Sequence, residues 1–279
     1  MKETLEEKRK RMLALAKESV TQAYSTGEHA VIQAINTYNE LEKAKNLIHE
    51  RLFEWYGIYF PELRVSQHAY AALVSAIGAG KKQADFASIA KIAGMDQGVV
   101  ERLAKESIGK DPEEKEYAVI KQLAETELRI EELQSSIDSY MKQAIESIMP
   151  NTTHILEYRI AAELLSKAGS LRKLANMPAS TIQLLGAEKA LFRHMKYGAK
   201  PPKYGVLFKL KDVTNAARGD KGKVARLYAT KISIAARADA FSKRFIGDEL
   251  KQSLDSSLER IKKNTKPYRP RPAKDFRQR

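Results

Sequence analysis

Apolar residues recur along this chain at helical spacing, and strand-like alternation is hard to find, so the pattern predicts an all-α protein. Between Val31 and Tyr59 the repeat is seven residues long: Val31, Tyr38, Lys45, Leu52 and Tyr59 form one series, and Ala34, Leu41, Ile48 and Trp55 the other. Lys45 interrupts this seam, and Phe60-Pro61 ends it, because proline disfavours helix for the residue before it. A second run sets Leu123, Ile130, Ile137 and Ala144 seven apart, with Leu133 and Tyr140 three residues after two of them, and stops at Pro150. Asp111-Pro112-Glu113-Glu114 makes a start for that helix, since proline suits the first turn and acids face the positive end of the dipole. Two such seams predict an antiparallel coiled-coil arm, with shorter helices in 66–110 at its tip around breaks at Gly78-Ala79-Gly80 and Gly94.

The seams are flanked by simpler patterns. Leu5, Met12, Leu13, Ala16, Val20 and Tyr24 predict one amino-terminal helix and no separate domain before the arm. After Asn151 the pattern becomes compact helices broken by Gly169, Pro178, Gly186 and the loop Gly198–Gly205, then a strongly amphipathic helix over Lys223–Phe245. Lys262–Arg279 holds eight basic residues, one acid and three prolines, too little apolar content to order itself, and is expected to be a disordered basic tail. The expected organisation is an amino-terminal helix in 1–30, a central helical domain in 31–150, a compact helical domain in 151–261 and the tail in 262–279.

Charge changes the picture once it is divided. Residues 1–150 hold 20 Lys+Arg against 24 Asp+Glu, and 151–279 hold 29 against 11, so the whole basic excess of this +14 chain lies in its second half. Such one-sidedness is the footprint of a polyanionic partner, because cations placed on phosphates release condensed counterions. With no cysteine, disulfides, thiolate metal sites and cysteine nucleophiles are excluded. Neither a signal-peptide pattern nor a membrane span is visible, and an intracellular location is expected.

Catalytic patterns fail on inspection, so no enzyme, metal or cofactor is expected. Gly222-Lys223 looks like the end of a phosphate loop, but Ala217 stands where its first glycine belongs and Val224 where magnesium needs Ser or Thr. Gly78-Ala79-Gly80 lacks the third dinucleotide-fold glycine, Gln83 taking its place. His29, His49, His68, His154 and His194 have no metal-ligand spacing. What the second half does carry is cations spread over several elements: Lys189 and Arg193 after Gly186-Ala187-Glu188, Lys203 in a proline-glycine loop, then Lys223, Arg226 and Arg237. Arg226 and Arg237 are eleven residues apart, about three helical turns, and so share a face. A charged exterior over an ordinary helical core would read the same way.

These same residues resemble the Nop domain, shared by scaffold proteins of box C/D guide-RNA particles and a splicing factor of the tri-snRNP. The resemblance rests on Asn151–Leu171, Met177-Pro178-Ala179-Ser180, the run GAEK-ALFR from Gly186 to Arg193, and the stretch on to Phe241. Ile32–Asn36 through Trp55–Leu63 also looks like the family's central helical segment, and the likeness covers roughly 28–245. It implies a coiled-coil arm that dimerises or packs against a partner, joined to a Nop domain that recognises kink-turn RNA already bound by a small ribosomal-protein-like kink-turn binder. Carried over, Gly186, Ala187, Glu188, Lys189 and Arg193 touch that protein–RNA surface, Lys203 packs on the RNA, and Lys223, Arg226 and Arg237 contact its backbone. A guide particle for ribosomal or transfer RNA processing is the implied setting. Residues 1–30 stand where the family's scaffolds carry a fibrillarin-binding domain, so fibrillarin recruitment is not expected. The rival readings are a divergent Nop protein serving another structured RNA without fibrillarin, and a coiled-coil interaction protein with an unspecific basic tail.

Overall fold

The computed structural model describes residues 4–25, 27–77, 80 and 85–264, and among these it contains helices and turns but no strand. The helices are α1 (Leu5–Ser25), α2 (Glu28–Tyr56), α3 (Gln67–Ile77), α4 (Phe86–Ala93), α5 (Gln97–Glu106), α6 (Glu114–Ile148) and α7 (Pro150–Ile155). They continue with α8 (Tyr158–Ala168), α9 (Leu171–Asn176), α10 (Ala179–Leu184), α11 (Glu188–Tyr197), α12 (Lys211–Asn215), α13 (Lys221–Arg237) and α14 (Gly247–Lys263). The expectations about Ala79, Gln83 and residues 265–279 fall outside the described residues. Two compact units form, an inner one of Asn36–Ser139 and a second made of Met1–Ile35 with Tyr140–Arg279, so the divisions lie inside α2 and α6.

In the inner unit α2 and α6 run antiparallel. Gln134 donates to Tyr38 O (3.4 Å) and Glu42 (2.8 Å), His49 meets Glu127, and Trp55 donates to Glu116 (2.9 Å), so positions rise on one helix as they fall on the other. The seam is not the one apolar spacing picks out. Leu52, Tyr56, Ile120 and Ala124 are buried, whereas Trp55 and Leu133 are exposed and Leu41, Ile48, Leu123 and Ile130 only half-buried. One predicted series, with Val31 and Leu52, does face inward; the others are offset by one residue, because Glu127 and Gln134 occupy the buried middle of the pair. Polar residues that bond across a seam can sit inside it, and hydrophobic periodicity is blind to them. At the tip, Asp85 and Asp96 cap α4 and α5, and Gly94 ends α4 with φ +62.

Glu127 is the sharpest case. Its buried carboxylate lies 3.1 Å from His49 Nδ1. Burial raises its pKa, with the neighbouring Gln67 amide and His49 pulling the other way. A raised carboxyl means that the native state keeps a proton which the unfolded chain releases, so stability is greatest below the ordinary carboxylate range and falls as pH rises through the raised value. Glu127→Gln, which cannot ionise, is expected to lose less Tm than the parent between about pH 5 and pH 8. Parallel Tm curves for the two proteins would contradict this.

The second unit is organised around α13. Val224, Ala225, Tyr228, Ala229, Ile232, Ala235 and Ala236 are buried there, and the alanines let neighbouring helices approach closely. Its remaining stripe of Lys223, Arg226, Thr230, Ile234 and Arg237 is exposed. The same core takes Val31, Ile32 and Ile35 from α2, Met141 and Ile145 from α6 with Met149 just after it, and Leu250, Leu254 and Leu258 from α14. Each such side chain contributes about 1.5–3 kcal/mol by leaving water.

Two ends differ from expectation. The amphipathic helix stops at Arg237 and widens into a π turn over Ala238–Ser242, followed by Lys243 at φ 55, instead of running to Phe245. The cause is Asp239, which is 1% exposed. Its carboxylate accepts from Asn151 N (2.9 Å), Asn151 Nδ2 (2.8 Å), Thr152 N (3.0 Å) and the Thr152 hydroxyl (2.7 Å), thereby satisfying the start of α7. Asn151 also donates to Arg244 O and accepts from Ile246 N, which pins the turn from its other side. At the carboxy-terminal end α14 continues through Lys262 and Lys263, two residues assigned above to the basic tail.

Candidate RNA–protein interface

The predicted cations fall into two groups and one outlier. The first group surrounds α11. Gly186 precedes it at φ +89, with Val206 Cγ2 2.7 Å from where a Cβ would stand, so both conformation and space there require glycine. The Glu188 carboxylate accepts from Gly186 N at 2.6 Å, a local cap on the turn rather than an ion pair with a lysine. No residue of α11 is buried. Its surface mixes Lys189 and Arg193, both exposed, with Phe192 (60% exposed), Met195 (76%) and Tyr197 (69%). Glu188, Lys189, Phe192 and Arg193 line a shallow open hollow.

The second group lines a cleft of about 460 Å³ bounded by Ser180, Gln183, Lys203, Arg218, Lys223 and Arg226, with Gly219 and Gly222 at its rim. One wall is the loop carrying Lys203. Gln183 Nε2 donates to Lys203 O at 2.7 Å, Gly205 N to Gln183 O at 3.0 Å, and Val206 N to Leu185 O at 2.8 Å, which straps the loop onto α10. Stacking of Tyr204 on Phe208, with centroids 4.7 Å apart, stiffens it further. The other wall is the start of α13, where Lys223 Nζ donates to Asp220 at 2.7 Å.

Arg237 is the outlier. It shares the exposed stripe of α13 with Arg226 but sits about 16 Å further along the helix axis, and does not line the cleft. Its Nε donates to Ala175 O at 3.1 Å, near the end of α9. Conversely, Arg218 lines the cleft although sequence reasoning passed over it. It stands in the turn between α12 and α13, in no motif, and only the folded path of the chain brings that turn opposite Lys203. Among the described residues no group of three metal-ligating side chains converges, and no helix is long and apolar enough to cross a membrane.

The unit thus combines a helix that buries none of its residues, α11, with a cleft lined by four cations. The chain belongs to the Nop family, described as a snoRNA-binding domain with fibrillarin, which it matches over residues 37–260. It is 38% identical over 237 residues to an uncharacterised NOP5 family protein of Methanocaldococcus jannaschii, covering 84% of this chain and 57% of that one. It is 35% identical to nucleolar protein 56 of Caenorhabditis elegans over 253 residues, covering 86% and 52%. Nucleolar protein 58 of Schizosaccharomyces pombe is 36% identical over 217 residues, covering 76% and 42%. The chain thus spans about half the length of these relatives. A crystal structure of a fibrillarin/Nop5p complex shares the fold, with a TM-score of 0.54 at 21% identity, covering 91% of this chain and 77% of that one.

Proposed function

We propose that this chain is a non-enzymatic RNA-binding scaffold of a box C/D-type ribonucleoprotein acting in ribosomal or transfer RNA processing. It docks on kink-turn RNA that already carries its ribosomal-protein-like binder. The observation that carries this reading is α11, which buries none of its residues and interleaves Phe192, Met195 and Tyr197 with Lys189, Arg193 and Lys196. Such a surface suits a partner that is part protein and part phosphate, since apolar side chains gain from contact with protein and cations from contact with RNA. The cleft behind Lys203, Lys223 and Arg226 supplies the phosphate contacts. Self-association through the outer face of the arm belongs to the same reading and gives cover to Leu47, Phe53 and Leu133, all exposed in the single chain.

The test is a titration of the protein into kink-turn RNA, alone and after saturation with the kink-turn binder. Affinity for free RNA is expected to be modest and steeply salt-dependent, and roughly five- to hundredfold tighter on the preformed complex. Equal affinities would overturn the composite-surface reading. Tighter binding to a structured RNA without any kink turn would instead favour a Nop protein serving another RNA.

A further inference from the structure

In the inner unit the buried acid of α6 does not act alone. Glu127 and Glu131 lie one turn apart on one side of α6, and each meets a histidine from a different helix. Glu127 meets His49 of α2 at 3.1 Å, and Glu131 meets His68 of α3 at 2.6 Å. The Gln67 amide, at the start of α3, also neighbours Glu127. The inner pair is enclosed, with its carboxylate side chain 2% and its imidazole 22% exposed, while the outer pair stands open at 38% and 67%. We propose that these two histidine–glutamate pairs form a proton-sensitive clamp, which fixes the first turn of α3 to α2 and α6 and loosens it as pH rises. The inference stands apart from the RNA-binding reading and needs no partner.

Three features favour this clamp. Of the groups acting on Glu127, which are the Gln67 amide, His49 and Glu131, only His49 can bring a positive charge. Lys45, a turn earlier on α2, is held by Glu42 at 3.2 Å, and Arg51 by Glu54 at 2.8 Å. When His49 carries no proton, Glu127 and Glu131 are therefore left as like charges a turn apart, one of them buried, and both beside the start of α3. Secondly, the inner imidazole is packed against α3: the Tyr70 ring stands edge-on to His49 at 5.7 Å, with Phe53 at 5.2 Å and Tyr56 at 6.4 Å as its other neighbours. Burial raises the Tyr70 phenol, so it stays neutral and the protons move on the two pairs. Thirdly, α3 is tied down further along by a neutral bond, in which the Tyr117 hydroxyl donates to Val74 O at 2.7 Å, so a change of pH acts on one end of the helix and not on the other. The closed clamp holds a proton that the opened one releases, and by linkage its grip is lost as pH rises through the raised value of Glu127 and the ordinary range of a histidine, about pH 5–8.

The experiment is amide hydrogen exchange of the full chain followed by mass spectrometry between about pH 6 and pH 9, each rate being referred to that of an unstructured peptide at the same pH. Protection of the amides of Tyr70–Leu73 is expected to fall roughly tenfold over this range, while that of α13 changes less than about twofold and that of Val74–Ile77 falls less than the start of the helix. Glu127→Gln, which cannot ionise, should flatten the response. His68→Asn, at an exposed position, should lower protection of the first turn at the acid end of the range and leave a smaller pH response than the parent has. Protection in the parent that does not change with pH overturns the clamp, and so does a response of equal size in the parent and both variants. Loss of protection that is uniform along α3 also overturns it, since the whole helix would then be opening for another reason. Should Glu127→Gln fail to fold, His68→Asn decides: a smaller response than the parent's supports the clamp, and an unchanged one overturns it.

Discussion

Replacing Asp239 by alanine is expected to destabilise the unit built around α13 by about 3–5 kcal/mol. The carboxylate is 1% exposed and accepts four hydrogen bonds from Asn151 and Thr152. Its loss leaves the buried N–H groups of Asn151 and Thr152 without their acceptor at the start of α7, each costing about 1–3 kcal/mol. Asp239→Asn keeps one acceptor oxygen but turns the other into a donor facing donors, so it should fall between alanine and the parent. Urea denaturation followed by circular dichroism measures both: the alanine variant should show a much lower midpoint at an unchanged m value. A shift worth less than about 1 kcal/mol would mean that the turn is held by Asn151 alone, through Arg244 O and Ile246 N.

The second large effect is expected at Gly205. A Cβ there would stand 1.9 Å from Leu185 O and 2.8 Å from Leu184 O, both backbone atoms. Those atoms cannot yield without breaking the bonds from Gly205 N to Gln183 O and from Val206 N to Leu185 O. Gly205→Ala should therefore cost about 2–3 kcal/mol and release the strapped loop from α10, carrying Lys203 out of the cleft. Lys203→Ala serves as the comparison, since it removes the cation and leaves the strap in place. Gly205→Ala is expected to weaken RNA binding at least as much as Lys203→Ala and also to lower Tm, whereas Lys203→Ala changes binding only. Equal Tm values for all three proteins would show that the loop absorbs the methyl group.

Much of this architecture is legible from residue spacing, and the failures have identifiable causes. Helix starts and stops were signalled by residues whose backbone preferences are strong: Pro150 opens α7, and Gly94, Gly169 and Gly198 close α4, α8 and α11 in left-handed conformations. The seam register was not legible, since Glu127 and Gln134 occupy positions that a hydrophobic count assigns to the surface. Asp239 hid the end of α13 in the same manner: a carboxylate in a helical pattern reads as solvated until Asn151, 88 positions away, supplies its donors. For the cleft, helical spacing places Lys223 and Arg226 on one face, but sharing a face is not sharing a place, and Arg237 lies beyond reach on the same stripe. Arg218 was invisible because nothing local distinguishes a cation in a turn that meets a distant loop from one that meets only water.

The division of the chain also bears on its manufacture. Residues 36–139 form an uninterrupted unit, while the core of the other unit joins the start of α2 to helices that follow Tyr140. Glu28 accepts from Leu171 N at 2.9 Å across 143 positions, and Val31, Ile32 and Ile35 join a core whose other members come from Met141 and beyond. A ribosome delivers the amino-terminal end first, so Val31, Ile32 and Ile35 at the start of α2 have to wait uncovered, while the inserted unit can close as soon as it emerges. Order of synthesis and order of completion are thus inverted. The long interval before α13 and α14 arrive is the stage at which nascent chains depend most on a chaperone or on one another.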